Sequence, residues 1–269
     1  MGTQFTSRIK LTDRERIYKG LKKALADEMP TPARQRKDVS RRAGNKPSIA
    51  PTIKSLSQAQ RRRFGEAAVS QVLNVYEDHN FFSVLEINLL FADVLKWLQR
   101  LRSDAEFNGF TGIILEYTLE TSDNPVRDLA RKLEELTSKS QTDLFRVACT
   151  NAAKAILAET SLRNVSPQIG EIPARTFGRK IATLDVRALV KLYIQRLVYE
   201  VLSKPMSMSD PASSKAIVQQ AIDEIKKTTE RIAKKAVEQV IQEGKLNDPS
   251  RIHRIVIECL MAYKKPEAA

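Results

Sequence analysis

Cysteine and glycine are both scarce in this 269-residue chain, at 2 and 9 residues. Two cysteines cannot build a disulfide framework, so nothing points to secretion. Cys149 and Cys259 each sit in an apolar helical pattern and are expected as free buried thiols. Turn clusters at the close spacing of a β-sandwich are missing, which excludes that class. No glycine-rich phosphate loop, no Cys-x-x-Cys and no Gly-x-Ser-x-Gly nucleophile elbow occurs.

Histidine is equally sparse, at 2 residues. His79 lies in "YEDHN", where adjacent spacing sends its acidic neighbours to different helix faces. His253 has Glu258 five residues on and Cys259 six on, not the i, i+4 spacing of a metal pair. No metal, cofactor or catalytic residue is expected, and the chain reads as non-enzymatic.

Long uncharged apolar runs are absent too. The most apolar window, "FFSVLEINLLFADVLKWL" (81–98), carries Glu86, Asn88, Asp93 and Lys96. These groups are costly in lipid, so the window reads as a buried core helix. The first thirty residues lack the apolar stretch of a signal peptide. The start "MGTQFT" formally fits an N-myristoylation pattern, but one acyl chain holds a membrane only weakly, and the plain reading is an unmodified start. The expectation is an intracellular, cytoplasmic protein (nuclear in a eukaryote), with no membrane partner.

What the chain does contain is helix formers at helical spacing. Hydrophobic residues make up 42% and charged residues 29%, an ordinary globular balance. The expected fold is all-α, a multi-helix bundle with an extended basic N-terminal arm. Residues 1–29 form an amphipathic helix, with Thr12 and Glu15 as a capping box and Ile17, Leu21, Ala24 and Leu25 on one face. Residues 30–56, with four prolines and few apolar side chains, read as a flexible or extended arm.

Residues 57–162 are expected as a helical bundle. Ser57 and Gln60 form a capping box, and Phe64, Ala68, Val72 and Tyr76 repeat at helical spacing. Further helices run from Ser83 to about Leu101, from Pro125 to about Ser138, and from about Thr142 to Leu162. Residues 107–120 fit a helix or a strand, and helix is favoured because no other segment offers a pairing strand. Residues 163–182, with two glycines and two prolines, read as a linker or loop and the best domain boundary. Residues 183–269 form a C-terminal helical region: a central helix at 184–203, a long one at about 213–243, and a last one opening at "NDPSR". In the long helix Val218, Ile222, Ile225, Thr229, Ile232 and Ala236 step at heptad spacing. That pattern fits packing within the chain's own bundle, or a partner or self-association contact through Val218, Ile222, Ile225 and Ile232.

The charge map is uneven. Net charge is +13. Residues 34–63 hold ten basic side chains against Asp38, or +9, whereas 64–269 hold 28 basic and 27 acidic residues. The ten are Arg34, Arg36, Lys37, Arg41, Arg42, Lys46, Lys54, Arg61, Arg62 and Arg63. Charge of one sign extends a chain and suits wrapping a polyanion. Seven of the ten are arginine, whose planar fork matches phosphate oxygens in pairs. Arg61–Arg63 lie at a helix start, where the macrodipole disfavours cations and free N–H groups favour anions. No aromatic interrupts the run, so backbone contact with DNA or RNA is expected rather than base stacking. The alternatives are a solvated linker, a nuclear-localisation run, and a scaffold whose arm docks on an acidic protein partner.

Overall fold

The computed structural model of the protein describes residues 11–28, 56–80, 89–108, 125–138, 143–162, 174–203 and 215–264. Among them are nine helices and no strand, so the fold is all-α. They are α1 (Leu11–Glu28), α2 (Gln58–Asp78), α3 (Leu90–Phe107), α4 (Pro125–Ser138), α5 (Asp143–Leu162), α6 (Ala174–Ala182), α7 (Val186–Ser203), α8 (Lys215–Gln242) and α9 (Pro249–Met261).

The packing order follows from how much of each helix is apolar. Along α7, Leu189, Val190, Tyr193, Ile194, Leu197, Val198, Val201 and Leu202 are all buried, covering most of its circumference. Such a helix needs neighbours on several sides. It packs chiefly between α5 and α8, and also touches α2 and α3. Each such side chain taken fully from water contributes about 1.5–3 kcal/mol. Around it, α2 packs on α1 and α8, α3 on α6 and α9, and α4 on α5. Phe91 of α3 stacks on Tyr193 with ring centroids 5.2 Å apart, and His253 of α9 closes the same layer at 5.3 Å from Phe91.

Local signals set several helix ends. Ser57 Oγ accepts from the Gln60 N–H at 3.3 Å while Gln60 Oε1 accepts from the Ser57 N–H at 2.9 Å, the reciprocal capping box expected for α2. Asp248 accepts from the Arg251 N–H at 3.0 Å, with Pro249 in the first turn of α9. At the end of α8, Gly244 takes φ +67°, and the Lys245 and Gly244 N–H groups return to the Val240 and Ile241 carbonyls at 3.0 Å. That pair of bonds satisfies carbonyls the helix leaves open.

α1 and α2 run antiparallel. At one end His79 Nε2 lies 2.9 Å from Asp13 Oδ2, and Arg16 pairs with Asp78. At the other, Gln60 Nε2 donates to the Glu28 carbonyl at 2.6 Å. The apolar face of α1 is as expected, with Ile17, Leu21 and Leu25 buried.

Three expectations are corrected. Thr12 lies inside α1, not ahead of it. α3 continues to Phe107, past the expected end near Leu101. Residues 174–182, expected as linker, form α6, whose Phe177 and Ile181 have no exposure and pack it onto α3 and α5. The buried residues on both sides of 163–182 belong to one cluster, so the core does not divide there. Ile225 and Ile232 have no exposure, and Ile222 packs partly buried on the same core. The described part of the heptad face of α8 therefore packs within the chain's own bundle, one of the two readings its spacing allowed. The Val218 side chain, Ser83 with Glu86, and residues 109–120 lie outside the described residues.

Candidate nucleic-acid interface

The antiparallel pairing of α1 and α2 positions the basic segment. Glu28, the last described residue of α1, and Leu56, the first described residue before α2, lie at the same end of the helix pair, where Glu28 meets Gln60 and Arg63. Leu56 is itself buried at 3% exposure, so the segment ends one residue earlier than its composition suggests. In sequence the basic run joins α1 to α2, both of which pack in the bundle. Arg34, Arg36, Lys37, Arg41, Arg42, Lys46 and Lys54 lie outside the described residues.

Arg61, Arg62 and Arg63 are described, and they differ from one another. Arg62 Nε lies 3.0 Å from Glu66 Oε1, one helical turn on. Arg63 Nε lies 3.3 Å from Glu28 Oε2, at the end of α1. Both arginine side chains stay largely exposed, at 65% and 63%. Surface pairs of this kind contribute about 0–1 kcal/mol, so each guanidinium keeps donors to offer elsewhere. Arg61 has no carboxylate partner among the described residues, and its buried Nε makes no hydrogen bond.

The expected anion pocket at the α2 start is smaller than its sequence implies. The capping box already occupies the Ser57 and Gln60 N–H groups. The first-turn N–H groups outside the capping box are those of Gln58 and Ala59, and the side-chain charge of Arg61–Arg63 stands beside them.

The seam between α2 and α8 extends that charge. Arg231 Nη1 reaches Glu66 at 3.8 Å, and its Nη2 donates to Thr228 Oγ1 at 2.8 Å. Lys227 pairs with the nearly buried Glu224 at 2.7 Å. Four cations (Arg62, Arg63, Lys227 and Arg231) thus share three carboxylates, those of Glu28, Glu66 and Glu224, and Arg61 adds a fifth charge with none of them as partner. Sequence reasoning missed this seam. The Arg62–Glu66 spacing was a usable signal. Glu28, Lys227 and Arg231 reach the site only through helix packing.

The groups that burial shifts most lie in the core: Tyr76, Cys149 and Tyr193 are all pushed above their ordinary ranges by desolvation, with Cys149 facing Tyr193. Both cysteines are free and buried. Among the described residues no three His, Cys, Asp or Glu side chains converge as metal ligands, and no helix is long and apolar enough to cross a membrane. No family model, curated protein or solved structure matches the chain.

Proposed function

We propose that this is a non-enzymatic helical protein that binds nucleic acid through its phosphate backbone, as a subunit of a larger assembly. The observation that carries the reading is the +9 charge of residues 34–63 beside a nearly neutral remainder. The anchoring of α1 supports it, because the two ends of the basic segment are held at one end of the α1–α2 pair. So does the surplus of cations over carboxylates beside them.

The test is retardation of a labelled DNA duplex across salt concentrations. With about five phosphate contacts, affinity falls a few hundredfold between about 50 and 200 mM salt. Replacing Arg34, Arg36, Lys37, Arg41 and Arg42 together by alanine should abolish most of the binding and flatten the salt slope. An unchanged affinity in that variant removes the site. Nuclease-resistant co-purification of one acidic protein would instead favour a docking role for the same segment.

A further inference from the structure

A second surface lies away from the basic segment. α7 and α8 flank a groove of about 600 Å³. Its floor is apolar, built by Leu192 of α7 with Ala233, Val237 and Ile241 of α8. Tyr199 lines it as well. The α8 rim runs from Lys226 to Ile241, a length of about 22 Å, or roughly four turns of a helix laid along it.

The two rims carry different charge. On α8, Lys226, Glu230, Lys234 and Glu238 alternate in sign at one-turn spacing, and Lys234 reaches Glu238 at 3.8 Å. That rim neutralises itself. On α7, Arg187 and Lys191 stand one turn apart, exposed, with no carboxylate partner among the described residues. Arg196, further along, is matched by Glu159 at 3.3 Å. The groove therefore has an apolar floor, one neutral wall and one cationic wall.

We infer that this groove docks an acidic amphipathic helix of a partner protein. An apolar stripe at i, i+3, i+4 and i+7 fills the floor, and carboxylates spaced one turn apart on one flank meet Arg187 and Lys191. The asymmetry of the walls fixes the direction in which the helix lies. A nucleic acid suits the groove poorly. It has no apolar stripe to fill the floor. The inference is independent of the nucleic-acid reading.

The test uses the full chain and a fluorescein-labelled synthetic helix of about four turns, with leucine on one face and glutamate on one flank. Fluorescence anisotropy should report saturable binding. Arg187→Glu with Lys191→Glu should weaken it by about tenfold or more, while a peptide with lysine in place of glutamate should now bind the double variant better than it binds the parent. Duplex DNA binding should be unchanged in that variant. Absence of binding overturns the inference, as does equal binding of a scrambled peptide of the same composition. So does sedimentation showing that the groove joins two copies of this chain and that the double variant separates them.

Discussion

Gly65 of α2 lies against Thr228 of α8 with no room for a side chain: a Cβ there would sit 2.8 Å from the Thr228 hydroxyl and 3.0 Å from the Glu224 carbonyl. Neither neighbour can yield easily, since one is backbone and the other already bonds the Glu224 carbonyl at 3.0 Å. Gly65→Ala gains about 1 kcal/mol of helix propensity but forces two packed helices apart, a strain of about 1–3 kcal/mol. The expected outcome is a net loss of about 1 kcal/mol in urea denaturation, opposite to the gain a glycine-to-alanine change gives in an exposed helix.

Two buried hydroxyls should respond oppositely to removal. Tyr76 donates to the Val201 carbonyl at 2.5 Å, tying the end of α2 to α7. Thr229, at 2% exposure, has a buried hydroxyl with no partner among the described residues. Tyr76→Phe should therefore cost about 1 kcal/mol, and Thr229→Val should be neutral or stabilise by up to about 1 kcal/mol. Thermal melting of the two single variants checks the difference in sign.

Acid should dissolve one pairing in a defined window. Glu243 is hydrogen-bonded by Arg251 and Gln239, which lowers its carboxyl from an ordinary 4.5 to about 2. Arg251 bridges onward to Glu258 at 3.0 Å. A depressed folded value means that the contribution is complete above 4.5, declines as pH falls, and is gone below about 2. Glu243→Gln should thus melt lower than the parent at pH 7, with the gap closing toward pH 2. A gap that persists at pH 2 would point to packing rather than charge.

The carboxylates beside the basic segment should act as brakes on polyanion binding. Glu66 engages Arg62 and Arg231, and Glu28 engages Arg63. Glu66→Gln with Glu28→Gln should tighten duplex binding by a few-fold at about 0.1 M salt and steepen the salt slope, because guanidinium groups are released toward phosphate. Weaker binding in this variant would mean the pairs hold the arginines in their binding posture.

Much of the fold was legible because its signals are local. The Ser57–Gln60 capping box, the Asp248–Pro249 start and the apolar pattern over more than half the circumference of α7 each specify structure within a few residues. α6 was missed because Pro173 and Gly178 dominated the reading of its segment, although Phe177 and Ile181 stand one turn apart and mark a buried face. The heptad on α8 left two readings open, since periodicity reports that a face is covered and not by what. The charge run was plain in the sequence. Its partial neutralisation by Glu28 was not, because that contact spans 35 residues and exists only once α1 folds back on α2.

The docking of α1 rests on packing as well as on chain continuity. A protease cut anywhere between Glu28 and Leu56 would sever the polypeptide, yet Ile17, Leu21 and Leu25 would keep the amino-terminal fragment seated on α2. The short amino-terminal fragment and the remainder, produced separately and split at that connection, should reassemble on mixing, so the covalent link and the structural one are distinct.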